Sequence, residues 1–205
     1  MTRLLRPRVA LAALCCSLLT ACSPAPTPAG ATTPGSREAA PVADERVAYF
    51  AGGCFWGVEH FLEQIDGVIA VESGYMGGHV ESPSYADVSS QTSGHLETVR
   101  VRYDGARVGY EALAKRFFEI HDPTQADGQG PDIGPEYLSA VFYNDEGERT
   151  IAAALIERLR ARGYDVATEL RPAEHFWPAE AYHQDYYVRS GRTPYCHAPV
   201  KRFGD

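Results

Sequence analysis

Two adjacent glycines, Gly52-Gly53, separate an apolar run at residues 47–51 from a stretch with helical spacing, and this break constrains the fold more than any other feature of the chain. Val47, Ala48, Tyr49, Phe50 and Ala51 have the length and bulk of a buried strand, while Phe55, Val58, Leu62 and Ile65 recur on one helix face. A helix is therefore expected to start at about Cys54. Gly67 ends it, and Val68-Ile69-Ala70-Val71 reads as a second strand running into a glycine-rich loop, Gly74-Tyr75-Met76-Gly77-Gly78. Further on, His95 to Tyr103 alternates, and residues 110–120 form an amphipathic helix with Leu113, Phe117 and Phe118 inward. A strand over 137–143 follows, then a helix capped by Asp145 and Glu148 and stopped by Gly163, then a last strand over 164–170. Strands alternating with helices predict an α/β or α+β fold, a mixed sheet with helices packed on it. Beyond Pro172 an aromatic segment leads to a tail of little regular pattern that carries Cys196.

The first 46 residues cannot contribute to such a core. Residues 1–21 have a basic start (Arg3, Arg6, Arg8), an apolar stretch from Val9 to Leu19 and no acidic residue, the pattern of an export signal too short to span a membrane. The stretch ends in Leu19-Thr20-Ala21-Cys22, which resembles the lipobox of bacterial lipoproteins. On that reading Ala21 is the last residue removed and Cys22 becomes a lipidated amino terminus. Simple secretion without lipid is the alternative. Residues 22–46, rich in Pro, Ala, Thr and Gly, read as a flexible tether, with a single domain over 47–205. The expected location is the bacterial cell envelope, anchored on the periplasmic side at the outer membrane. Removing residues 1–21 takes three arginines and moves the net charge from -8 to -11, which speaks against nucleic acid as a partner.

Of five cysteines only Cys54 and Cys196 would remain unmodified in the exported domain, and two thiols in an oxidising compartment suggest a pair, structural or redox-active. Cys54 sits at a helix N-terminus, where backbone N–H groups favour thiolate, so a lowered pKa is expected. Phe55 and Trp56 are adjacent large rings in the first helical turn, which cannot both point into one interior; at least one is expected to line a cleft. Such an aromatic wall suits the methyl of a thioether. Period-two alternation puts Glu97 on the face of Val99, Val101 and Tyr103, where a desolvated carboxyl keeps its proton and can act as a general acid; a strand-end glutamate reaching solvent is the competing reading. No pair among His121, His175 and His183 has metal-ligand spacing, and no metal is expected. Asp132, in Gly130-Pro131-Asp132-Ile133-Gly134, could organise a turn.

Gly52-Gly53-Cys54-Phe55-Trp56-Gly57 resembles the signature of the peptide methionine sulfoxide reductase A family. Similar blocks follow in order at Gly74-Tyr75-Met76-Gly77-Gly78, Ser82-Pro83-Ser84-Tyr85, Gly94-His95-Leu96-Glu97, His121-Asp122-Pro123-Thr124 and Tyr182-His183-Gln184-Asp185-Tyr186. The resemblance implies a two-layer sandwich with a ferredoxin-like core. It also implies that Cys54 attacks a methionine S-sulfoxide, Glu97 protonates its oxygen with help from Tyr85 and Tyr137, and Phe55 and Trp56 hold the methyl. Asp132 would support the site through water or the substrate backbone. A sulfenic acid at Cys54 would be resolved by Cys196, on a proline-bearing tail able to swing over the cleft, and the disulfide would be reduced by an external thioredoxin-like dithiol with no bound cofactor. The expected role is repair of oxidatively damaged proteins or peptides by a monomer. Two rivals remain: a thiol peroxidase using the same cysteines, and a lipoprotein stapled by a permanent disulfide.

Overall fold

The computed structural model describes residues 42–204; the expected signal segment, Cys22 and most of the tether lie outside the described residues. The chain runs β1 (Glu45–Gly52), α1 (Phe55–Leu62), β2 (Val68–Met76), α2 (Tyr85–Ser89), β3 (Leu96–Asp104) and α3 (Tyr110–Ile120). A small ribbon of β4 (Gly128–Gln129) and β5 (Asp132–Ile133) follows, then β6 (Ser139–Tyr143), α4 (Glu146–Arg160), β7 (Glu169–Pro172), β8 (Trp177–Pro178) and α5 (Tyr186–Ser190). The main sheet has the order β7-β6-β1-β3-β2-β8, antiparallel throughout except for the parallel pair β6 and β7. Its four central strands, β6-β1-β3-β2, are joined through α1 and α3 in the ferredoxin-like order, and the mixed α/β fold is the one the alternating pattern predicts.

The period-two rule decides what each sheet face packs against. Ala48 and Phe50 of β1 join Val99, Val101 and Tyr103 of β3 in one core with Val58 and Leu62 of α1, Phe117 and Phe118 of α3, and Leu155 and Leu159 of α4. Phe50 stacks on Phe117 with ring centroids 4.9 Å apart. Ala51, Met76, Leu96, Ala140 and Phe142 face the other way and are covered by Phe176 from the C-terminal segment. Asp145 caps α4 as expected, its carboxylate accepting the Glu148 N–H at 2.9 Å.

Five expectations need correction. α1 stops at Leu62, and Ile65 lies in the following turn with its N–H donating to the Leu62 carbonyl. β2 continues to Met76 through residues expected to form a loop. Gly74 serves close approach there, since a Cβ on it would sit 2.3 Å from the Phe176 ring and 2.4 Å from the Trp177 carbonyl oxygen. β6 begins at Ser139 because Pro135–Tyr137 is a single 3-10 turn, and β7 begins only at Glu169, the Ala167 N–H being drawn to the Pro123 carbonyl instead of a strand partner. The segment after Pro172 is more ordered than its composition suggests, supplying an edge strand and α5.

Candidate active site

The turn between β1 and α1 admits little besides its own sequence. Gly53 has φ +85°, and a Cβ there would fall 2.3 Å from Cβ of Gln129. Cys54 follows as the N-cap of α1, buried at 6% exposure. Its Sγ, the Sγ of Cys196 and a carboxylate oxygen of Asp132 all lie within 4.8 Å of one another, and both cysteines are free thiols. The expectation of a lowered Cys54 pKa is overturned: a hydrogen bond to Cys196 holds the proton, and burial adds to the upward shift, against the opposing pull of the Trp56 backbone N–H. One dipole end does not outweigh a second thiol at contact distance together with desolvation.

Glu97 lies on the apolar face of β3, as alternation predicts, and is 2% exposed. Oε2 accepts the Phe55 backbone N–H at 3.0 Å, tying β3 to the first turn of α1. Burial, reinforced by the neighbouring Cys54, raises its pKa well above the usual carboxylate range, so the group keeps its proton. Burial raises the hydroxyl pKa of both Tyr85 and Tyr137, and the nearby Glu97 adds to the shift in each, which places the two tyrosines beside that carboxyl. Tyr85 opens α2 with its backbone N–H donating to Glu180 at 2.8 Å, and the same carboxylate accepts the Tyr75 hydroxyl at 3.0 Å.

The two adjacent rings part company as predicted. Phe55 is buried against Tyr75 and His183, while Trp56 is half-buried, stacked on Tyr186 at 3.7 Å between centroids with planes 10° apart. The Trp56 indole N–H donates to His183 Nδ1 at 3.1 Å. Asp132, on β5, accepts the Tyr195 hydroxyl on both oxygens, at 3.1 and 2.8 Å, which links it to the segment bearing Cys196.

That segment does not hang free. The Val200 N–H donates to the Glu119 carbonyl at 2.8 Å, and the buried Arg202 guanidinium donates to the carbonyls of Phe118 and His121 at the C-terminus of α3. Cys196, 9% exposed, contacts His197 Nδ1 at 2.9 Å, and His197 Nε2 contacts the Gly52 carbonyl oxygen at 2.7 Å. The swinging tail expected from the sequence is a strap docked beside the nucleophile. A cavity of about 570 Å³ lined by Arg46, Tyr103, Tyr110 and Glu148 includes none of these side chains.

A family model described as peptide methionine sulfoxide reductase matches residues 46–204. The chain belongs to that family. A peptide methionine sulfoxide reductase MsrA of Thermus thermophilus is 46% identical over 154 residues, covering 74% of this chain and 87% of the relative. Among solved structures, reduced Mxr1 of Saccharomyces cerevisiae superimposes with a TM-score of 0.71 at 30% identity, over 77% of this chain and 93% of that one. Mxr1 in complex with Trx2 gives 0.51 at 22% identity, over 77% and 91%, a likeness of fold. The protein is an oxidoreductase, a peptide methionine sulfoxide reductase of the MsrA type.

The reductase thus brings Cys54, Glu97, Cys196, Asp132, Tyr85, Tyr137, Phe55 and Trp56 into one neighbourhood at the sheet end of α1. Sequence reasoning passed over three of its parts. His183, considered from the sequence only for metal-ligand spacing, accepts from the Trp56 indole and packs against Tyr85 at 4.7 Å. Glu180 positions Tyr85. His197 drew no attention, although its place directly after Cys196 was the available signal.

Proposed function

We propose that the reductase acts on the S epimer of methionine sulfoxide in proteins and peptides, by a two-thiol cycle. Cys54 attacks the sulfoxide sulfur while the protonated Glu97 delivers a proton to the oxygen, steadied by the Tyr85 and Tyr137 hydroxyls. The thioether leaves reduced and Cys54 carries a sulfenic acid. Cys196 then displaces the sulfenic oxygen as water, so that the two thiols together supply the two electrons. The carrying observation is the juxtaposition of two buried free thiols with a buried carboxyl that keeps its proton. Trp56 and its stacked Tyr186, with Phe55 beneath, form the wall for the methyl group, and Asp132 orients the substrate. The disulfide between Cys54 and Cys196 then passes to an external thioredoxin-like dithiol, a partner kind already known for Mxr1, which forms a complex with Trx2.

The same reading takes the enzyme to the cell envelope. A basic, apolar export segment ending in Leu19-Thr20-Ala21-Cys22, followed by a tether rich in Pro, Ala and Thr, supports lipidation at Cys22 and repair of oxidised proteins outside the cytoplasm. The test is a single-turnover reaction of the prereduced chain with an S-sulfoxide peptide beside its R epimer, with thiols counted afterwards. Conversion of the S epimer alone, with loss of the Cys54 and Cys196 thiols together, is expected. Absence of conversion with a peroxide-reactive thiol remaining would favour a thiol peroxidase.

A further inference from the structure

The Gly52 carbonyl oxygen can only accept a hydrogen bond, so the His197 Nε2 that lies 2.7 Å from it carries the ring proton. The other nitrogen, Nδ1, then presents its lone pair to the Cys196 Sγ, 2.9 Å away. The ring has no room to turn: it is 4% exposed, and a Cβ on Gly57 would lie 2.2 Å from Nδ1. The glycine that follows Trp56 is therefore the space this imidazole occupies.

We infer that His197 is the general base for the resolving step, taking the Cys196 thiol proton on Nδ1. The inference rests on the two-thiol cycle proposed above. In that step Nδ1 accepts the proton and the Cys196 thiolate attacks the Cys54 sulfur. The S–S bond forms as the sulfenic S–O bond breaks, and the departing oxygen takes the proton from the imidazolium and leaves as water. Cys196 is oxidised, Cys54 is reduced to the disulfide level, His197 ends neutral, and no outside reactant is consumed. Burial lowers the His197 pKa, keeping the ring neutral and able to accept, while Asp132 favours the transient imidazolium. The titratable groups facing it are Cys54, Cys196 and Asp132, with His121 on the α3 side. Because the Gly52 carbonyl lies two residues before Cys54, one short turn positions both the nucleophile and the base of its resolving partner.

His197→Asn keeps a hydrogen-bond acceptor near Nδ1 but cannot hold a proton. After one equivalent of S-sulfoxide peptide, with the Cys54 sulfenic acid trapped by a carbon nucleophile, this variant should show a sulfenic-acid lifetime at least about 100-fold longer than the parent. Its disulfide formation should climb about tenfold per pH unit between pH 6 and 8, where the parent is flat. An unchanged lifetime and pH profile would overturn the proposal. A second arm keeps His197 and needs no sulfoxide chemistry: in Cys54→Ala protein, alkylation of Cys196 by iodoacetamide should reach its plateau below pH 7. A rate still climbing past pH 8, as for an isolated thiol, would also overturn it. Failure of the parent to reduce any sulfoxide would instead count against the proposed cycle, and leaves the alkylation result readable.

Discussion

The two thiols are held by opposite means. Cys54 stands between a central strand and a helix, in a turn whose glycine has φ +85° and no space for a Cβ. Cys196 stands in a segment without helix or strand, fixed by side chains that seize backbone carbonyls elsewhere: Arg202 on the end of α3, His197 on Gly52. Backbone geometry fixes the first position. A few hydrogen bonds make the second rigid until something competes for them, which suits a thiol that must close on Cys54 and then meet an external reductant.

The largest expected effects separate the two sides cleanly. Cys54→Ser should abolish turnover, whereas Cys196→Ser should yield one methionine per enzyme and stall, measured as product per active site with a dithiol protein reductant present. Sustained turnover by Cys196→Ser would remove the resolving role. Next, Glu97→Gln keeps the shape and the Phe55 hydrogen bond but has no proton of carboxylic acidity to give; it should slow the sulfoxide step about 10²- to 10⁴-fold with little change in binding. A single-turnover rate equal to the parent's would exclude the acid role.

Backbone and strap then give smaller, opposite results. Gly53→Ala forces an L-residue into positive φ and drives Cβ against Gln129, so it should cost about 3 kcal/mol of stability and impair the sulfoxide step. Arg202→Ala removes two charged hydrogen bonds to the end of α3, and should cost about 2 kcal/mol while slowing disulfide formation more than sulfoxide reduction. Equal slowing of both steps by Arg202→Ala would mean the strap supports the whole site and not Cys196 alone.

The same contrast explains what could be read from the sequence. The Cys54 side was legible because its determinants are local: a glycine pair, helical spacing, and alternation that put Glu97 on the face of Val99 and Val101. The Cys196 side was not, because the partners of His197 and Arg202 lie 145 and more than 80 residues away, and an irregular segment has no period to betray which side chains turn inward. Gly74 misled for a related reason, its glycine answering to Phe176 and Trp177 across the sheet edge, a demand no local pattern carries. The expected fall of the Cys54 pKa was lost at the same boundary, since the thiol that holds its proton, Cys196, lies on the other side.

The remaining predicted effect leaves both thiols untouched and lies where the rigid side meets the C-terminal segment. Glu59, on the buried face of α1, is 1% exposed, and its Oε1 has no hydrogen-bond partner among the described residues. Burial, with the nearby Glu63 and Asp185 adding to it, lifts its pKa to about 8. The folded protein therefore binds this proton more tightly than the unfolded chain, whose glutamates titrate near ~4.3. That contribution to stability is complete below the unfolded value and is lost as pH rises through about 8. Glu59→Gln keeps the shape of the side chain and does not titrate. Its advantage over the parent should accordingly be about 1 kcal/mol at pH 5 and grow by about 4 kcal/mol by pH 9, followed by denaturant unfolding across that range. Glu63, raised to about 7 and present in both proteins, should largely cancel in the difference. A gap that stayed constant with pH would mean that Glu59 is already ionised in the folded state, with α5 held to α1 by a buried charge.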